Sequence, residues 1–192
     1  MKIAGVVLAG GQSSRFGRPK MFEAFEKLPL YQHSLLALKQ NKLSPLLIAT
    51  NSELLPLFQQ DDEIHWMIES PAHQGPLFAL HQLLQENPDV EWFFVVASDM
   101  PFMNHTFIKT LLHKIDDCYD AVIPQQAGRI QPLAALYRRT VLVETTKLVA
   151  ENRRSMKALL DVIRVNYVDF KKDDLVFTNI NSQNDWPKGD LT

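Results

Sequence analysis

The run Leu8-Ala9-Gly10-Gly11-Gln12-Ser13-Ser14-Arg15-Phe16-Gly17-Arg18-Pro19-Lys20 gathers glycine, hydroxyl and cationic side chains directly behind an apolar segment. These are groups that handle phosphate. Gly10 and Gly11 let the backbone approach a ligand closely and adopt positive φ. Successive N–H groups in such a turn form an anion-binding concavity. Ser13 and Ser14 add hydroxyl donors, Arg15 a planar fork for phosphate oxygens, and Lys20 a compact charge for a leaving pyrophosphate. A solvated connecting loop has much the same composition. Two familiar phosphate motifs are excluded: no lysine directly follows the closing glycine, as a Walker A loop requires, and the Gly-x-Gly-x-x-Gly spacing of dinucleotide sites is absent.

A carboxylate complements the loop. Asp99, in Ser98-Asp99-Met100-Pro101-Phe102, follows the most apolar stretch of the chain. Magnesium takes one or two protein carboxylates and fills its octahedron with water and substrate phosphates, so a single aspartate suffices. The plainer role for Asp99 is a turn cap. Asn51 also follows an apolar run and reads equally as a helix N-cap. The six histidines lack zinc spacing, His105 and His113 being eight apart. His73 stands alone among Ser70 to Gly75 as a side chain able to touch substrate.

Elements that would position these groups alternate along the chain. Apolar, β-branched runs predict strands over Ile3–Leu8, Leu46–Thr50, Trp66–Glu69, Trp92–Ala97 and Ala121–Ile123. Helical spacing predicts helices over Leu30–Gln40, Pro76–Glu86, His105–Ile115 and Arg139–Glu151, with Asn104 as N-cap of the third and Pro76 in the first turn of the second. Further strands are expected over Gln131–Tyr137, Arg164–Phe170 and Val176–Ile180, and a short helix capped by Ser155 after Arg153-Arg154. The alternation argues for an α/β fold, a Rossmann-like three-layer sandwich with a mostly parallel open sheet and helices on both faces. Ligands bind beyond the carboxyl ends of such strands. That singles out Ala9–Lys20, Ser70–Gly75 and Ser98–Phe102. With no linker in sight, residues 1–192 read as one domain, 1–124 nucleotide-binding and 125–192 on the acceptor side.

Composition narrows the class further. The 192 residues are 46% hydrophobic and 22% charged, with a formal net charge of −2, which argues against nucleic acid or an anionic membrane as partner. The apolar N-terminal run is too short for a membrane span and reads as a buried strand. Cys118 is the single cysteine, so no intrachain disulfide forms, and the cytoplasm is the expected location.

The loop resembles the N-terminal motif of the molybdenum cofactor guanylyltransferases, the MobA-like branch of the nucleotidyltransferases, which reads Leu-Ala-Gly-Gly-x-Ser-x-Arg-Met-Gly-x-x-Lys; Phe16 replaces the methionine. The resemblance continues through Gln74-Gly75-Pro76-Leu77, Ser98-Asp99-Met100-Pro101-Phe102, Gln131-Pro132-Leu133-Ala134-Ala135-Leu136-Tyr137 and Asn179-Ile180-Asn181-Ser182. It implies the nucleotide-diphospho-sugar transferase type of fold, GTP and molybdopterin as substrates, Mg2+ held by Asp99, and transient contact with proteins that deliver or accept the cofactor. Arg15, Lys20 and Asp99 become the catalytic residues. Leu8, Ala9, Gly10, Gly11, Ser13, Lys20, Asn51, Glu69, Gly75 and Asp99 become the nucleotide side, with Asn51 at the guanine or ribose. Glu69 is carried over where the family commonly has an aspartate, Ser70 being the neighbouring choice. Arg153, Arg154, Asn179 and Asn181 fall to the acceptor, although a solvated basic turn explains the arginines equally well. Cytidylyl relatives typically read Leu-Ala-Ala-Gly, so Gly10-Gly11 favours guanine. A nucleotidyltransferase with CTP or another phosphorylated acceptor, and a non-catalytic nucleotide-binding protein, are the alternatives.

Overall fold

A computed structural model of the chain describes residues 1–11 and 16–180. Ser13, Ser14, Arg15 and Asn181 lie outside the described residues. In chain order the elements are β1 (Ile3–Leu8), β2 (Ala24–Phe25), β3 (Leu28–Pro29), α1 (Leu30–Gln40), β4 (Leu46–Thr50), β5 (Ile64–Ile68), α2 (Pro76–Glu86), β6 (Trp92–Ala97), α3 (His105–Leu112), β7 (Ala121–Gln126), β8 (Arg129–Ile130), β9 (Ala134–Arg138), α4 (Leu142–Ala150), α5 (Met156–Leu160) and β10 (Val165–Phe170). The main sheet runs β10-β7-β9-β6-β1-β4-β5, with β8 attached to β7, and β2 and β3 form a separate hairpin. β1 lies parallel to both β4 and β6, and β4 to β5. β9 runs antiparallel between β6 and β7, and β8 antiparallel to β7. The sheet is therefore mixed but mostly parallel, in an α/β fold as expected.

Strand alternation builds the three layers. In β6, Trp92, Phe94 and Val96 face the layer of α1 and α3 with Leu35, Leu38, Phe107 and Leu111. Phe93 and Val95 face the opposite layer, with Leu77, Leu80, Leu84, Leu148 and Leu159 of α2, α4 and α5. A strand covered on both faces needs an unbroken apolar run, which is why β6 is so readable. A third, smaller cluster joins Phe16, Phe25, Leu30 and Ile180, with Phe102 against it. It fastens the segment after β1 to the last described residue.

Caps set several boundaries. Asn104 accepts from Phe107 N–H at 3.0 Å and starts α3; Ser155 accepts from Ala158 N–H at 3.2 Å and starts α5. The structure corrects other boundaries. β5 starts two residues early, at Ile64, and ends at Ile68, leaving Glu69 just beyond the strand. α3 stops at Leu112, where Lys114 N–H turns back to Leu111 O at 2.9 Å. The Arg139–Glu151 helix opens as a 3-10 turn over Arg139–Val141 before α4. β9 begins only at Ala134, because Pro132 lacks an N–H and Ala134 N–H closes a turn onto Gln131 O at 3.2 Å. Val176–Ile180 is not a strand: Asp174 accepts from Val176 N–H at 3.1 Å and winds Leu175–Phe177 into a 3-10 turn. Among the described residues no helix is long and apolar enough to cross a membrane.

One buried polar contact makes the packing of α2 on α4 sensitive to pH. Thr145 Oγ1 donates to Leu142 O at 3.0 Å, so it accepts from His81 Nδ1–H at 3.2 Å. Burial pushes the His81 pKa below its usual value of 6.5. A histidine depressed in the folded state takes up a proton more readily once unfolded, so stability is full above pH 6.5 and declines as pH falls below it. Urea midpoints should therefore drop between about pH 7.5 and pH 5.5, and His81→Gln should remove part of that drop. An identical drop in the variant would exonerate His81.

Candidate active site

Three chain segments meet at the carboxyl ends of β1, β4 and β6. The loop leaving β1 is tied first to β4: Ala9 N–H donates to Ala49 O at 2.8 Å and Thr50 Oγ1 donates to Ala9 O at 3.1 Å. The next carbonyl, Gly10 O, accepts from Asn51 Nδ2 at 3.4 Å and stands 3.2 Å from His73 Nδ1. Asn51 is 1% exposed, and its Oδ1 accepts from Glu53 N–H at 3.1 Å and Leu54 N–H at 3.0 Å. It is thus a turn cap and a brace behind the loop at once, its amide engaged with backbone.

The need for glycine at position 10 is steric. A Cβ there would come within 2.9 Å of the Glu69 carboxyl carbon. Neither Gly10 nor Gly11 adopts the positive φ expected of them; Gly17 and Gly75 do, at 81° and 90°. Gly11 is exposed, with open space where a side chain would go. Glu69 itself is buried while Ser70 is exposed, so the carboxylate is the member of that pair facing the loop. Burial pushes its pKa above the ordinary 4.5; the charge of His73 and the His73 backbone N–H act the other way. Leu8, Gly10, Gly11, Glu69, Gly75 and Leu133 line a cleft of about 310 Å³.

Beside the cleft, Lys20 and Asp99 form an ion pair, Nζ to Oδ2 at 2.6 Å, with side chains 15% and 13% exposed. Lys20 Nζ also donates to Ile180 O at 2.9 Å, and Ile180 N–H donates to Asp99 O at 3.0 Å. The other carboxylate oxygen of Asp99 accepts from Asn179 Nδ2 at 3.1 Å. Gln131 Nε2 donates to Asn179 Oδ1 at 3.1 Å and so decides which end of that amide faces Asp99. Among the described residues no cluster of three or more His, Cys, Asp or Glu side chains is arranged for a metal. One carboxylate among oxygen and amide groups fits magnesium, which draws its remaining ligands from water and phosphate, and does not fit zinc.

The structure thus places Leu8, Gly10, Gly11, Glu69 and Gly75 on the cleft, Ala9 and Asn51 buried behind the loop, and Lys20, Asp99 and Asn179 beside it. Neither Arg153 nor Arg154 lines the cleft or touches the Lys20–Asp99 pair. Arg153 is exposed, 3.9 Å from Glu151. Arg154 reaches instead to Gln74, ahead of α2. Sequence reasoning passed over Gln131 and Leu133 as site residues, although the Gln131-Pro132-Leu133 run was visible; nothing local told that the chain there meets the rim.

Backbone amides beside a cleft, a cation and a lone carboxylate are groups that can offset charge on a polyphosphate, chemistry a nucleotidyltransferase needs. The chain belongs to the family of the MobA-like NTP transferase domain, whose model matches residues 5–167. It is 34% identical over 190 residues to a probable molybdenum cofactor guanylyltransferase of Geobacillus sp. (strain WCH70), covering 96% of each chain. A relative of the same description from Bacillus cereus (strain Q1) is 30% identical over 190 residues, covering 96% of this chain and 94% of its own. Among solved structures, molybdopterin-guanine dinucleotide biosynthesis protein A of Archaeoglobus fulgidus superposes with a TM-score of 0.74 at 24% identity, covering 96% of this chain and 94% of that one. A 4-diphosphocytidyl-2C-methyl-D-erythritol synthase of Anaerococcus prevotii reaches 0.77 at 12% identity, covering 96% and 94%, which speaks to the fold.

The contact between Gly10 and Glu69 yields a direct test. Gly10→Ala should lower the unfolding free energy by about 1 kcal/mol, since only the tip of Glu69 need move. In a Glu69→Ala background the same change should cost close to nothing. Equal costs in both backgrounds would mean that Glu69 is not what excludes a side chain at position 10.

Proposed function

We propose that this enzyme transfers GMP from GTP to molybdopterin, forming the guanine dinucleotide cofactor and releasing pyrophosphate. The observation that carries the reading is the Lys20–Asp99 pair, braced by Asn179 and Ile180 beside a glycine-walled cleft. The description shared by the two relatives supports the choice of base and acceptor. The terminal phosphate of the pterin attacks the α-phosphorus of GTP in line, and the bond to the β-phosphate oxygen breaks. Such transfer needs positioning and charge neutralisation more than covalent help from the protein. The backbone amides of Gly10 and Gly11, with Ser13 and Arg15 of the same loop, cradle the triphosphate, and Lys20 follows the charge that grows toward pyrophosphate. Asp99 is the carboxylate that would hold a magnesium ion, which when bound supplies positive charge against the α-phosphate.

The base lies against Leu8, Gly75 and Leu133, with the Glu69 carboxyl group facing its polar edge. Guanine offers donors at N1 and N2, which a carboxylate can accept, and the corresponding positions of cytosine are acceptors. By the family resemblance the segment after residue 125 carries the acceptor side, Arg153, Asn179 and Asn181 being its candidate contacts to the pterin phosphate. Its substrates and exposed, unpaired Cys118 suit a cytoplasmic enzyme.

Parallel turnover with GTP, CTP and ATP under one molybdopterin supply tests this. GTP should be used best, and Asp99→Asn should keep the fold but lower pyrophosphate release by about 10²-fold or more, with a lower thermal unfolding midpoint because Lys20 loses its charged partner. A preference for CTP would move the enzyme to the cytidylyl branch. Nucleotide binding without turnover would mean another acceptor, and full activity of Asp99→Asn would remove that carboxylate from the chemistry.

A further inference from the structure

Arg154 stands in the turn between α4 and α5, yet its side chain is committed to the loop ahead of α2. Nη1 donates to Gln74 O at 3.3 Å and also to Gln74 Oε1. Nε donates to Asn152 Oδ1 at 3.1 Å, and the guanidinium lies over the Phe78 ring, 5.7 Å from its centroid. Three of the five N–H donors of an arginine are thereby directed to neighbours within the protein. The backbones touch as well: the space a Gly75 side chain would enter is bounded by Arg154 O at 3.5 Å and Arg154 Cβ at 3.8 Å.

What Arg154 grips is a segment that needs gripping. Between β5 and α2 the chain passes through His73 at φ 61° and Gly75 at φ 90°. A left-handed conformation is costly for a residue with a side chain and persists where surrounding contacts enforce it. Two contacts hold this loop from its own side: Gln74 Nε2 donates to Ala72 O at 3.2 Å, and Gln82 Nε2 to Ser70 O at 3.3 Å. Arg154 is the tie that comes from the other half of the chain. Gln74 is thus oriented at both ends, its amide nitrogen by Ala72 and its oxygen by Arg154. His73 and Gly75, on either side of it, line the cleft, and His73 also approaches Gly10 O.

We propose that Arg154 is a positioning residue of the nucleotide site: it clips Gln74 and Gly75 in place so that the wall formed by His73 and Gly75 is ready when the nucleotide arrives. This rests on the reading of the cleft as the nucleotide site, and it moves Arg154 away from the acceptor side, where the resemblance had set it beside Arg153.

The test uses the full chain and the variants Arg154→Ala, Arg154→Lys, Gln74→Ala and the Arg154→Ala/Gln74→Ala pair. Calorimetric GTP affinity should fall on the order of tenfold in each single variant, and no further in the double variant, since one contact is lost in all. Lysine should not rescue, because an ammonium cannot bridge carbonyl and amide while covering Phe78. KM for GTP should rise with kcat held within about twofold and KM for the acceptor unchanged. Amide exchange over residues 70–75 should quicken in the variants, a readout independent of turnover. Unchanged GTP affinity with a raised acceptor KM would return Arg154 to the acceptor side and overturn the clip. Additive losses, or losses that match the fraction unfolded in melting curves, would overturn it too. If the wild-type chain binds CTP instead of GTP, the proposed base is wrong, and the same affinities read on CTP decide the clip. If it binds no nucleotide, the function fails, and unaltered exchange over 70–75 would sink the clip separately.

Discussion

The ion pair of Lys20 with Asp99 organises the functional end of this molecule. It joins residues 79 apart in sequence, and the same ammonium reaches a carbonyl 160 residues away. Taking two charges largely out of water is costly, and their attraction alone does not reliably repay it; further hydrogen bonds must. Here they come from Asn179 and the Ile180 carbonyl, and the apolar cluster of Phe16, Phe25, Leu30 and Ile180 holds those partners in range. Hence the C-terminal segment crosses back to the start of the chain. The geometry also keeps a cation in reserve. On the proposed function, a polyphosphate entering beside Asp99 would compete with the carboxylate for the ammonium.

A second constraint acts on the opposite side of the cleft. Glu69 is pressed against a backbone without side chain at Gly10, and burial makes its ionisation unfavourable. On the proposed function its oxygens face the donor edge of the base, and a base without those donors would leave them unpaired. The glycine and the glutamate are therefore one device. Either alone in the sequence would look replaceable.

Reading the chain from its residues succeeded where burial is symmetric and local. β1, β4, β6, α1 and α2 have the bounds their apolar patterns predict, and Asn104, Ser155 and Pro76 act as terminal signals should. It failed where a tertiary contact decides. Val176-Phe177 has strand-like composition, but Asp174 captures the Val176 amide and Phe177 packs edge-on to Phe107, 5.6 Å between centroids. Gln131 to Leu133 look like the start of a strand until Pro132 is asked for a donor it lacks. The glycine loop, Lys20 and Asp99 could be singled out in the sequence because phosphate chemistry demands those residue types, and the structure brings Lys20 and Asp99 into contact. The partners that orient them could not: Gln131 behind Asn179, and Arg154 on Gln74, are polar side chains whose roles exist only once distant segments meet.

The reversed direction of β9 limits how lineages of this fold can diversify. Every parallel strand leaves the rim through a loop, and a loop absorbs added or deleted residues with little consequence. β9 instead enters from the rim. The strip ahead of it is pinned by Gln131 N–H on Pro124 O at 2.9 Å, by Leu133 O under Ala97 N–H at 2.8 Å, and by the Tyr137 hydroxyl on Pro132 O at 2.7 Å. One residue inserted there would shift β9 by one position and turn Ala135 and Tyr137 out of one layer and into the other. The hairpin tip at Ala127 and Gly128, both exposed and left-handed, is the nearby place where added residues would leave the register of β9 intact. Divergence at that wall of the cleft must proceed by substitution, residue for residue, while its neighbours are free to change length.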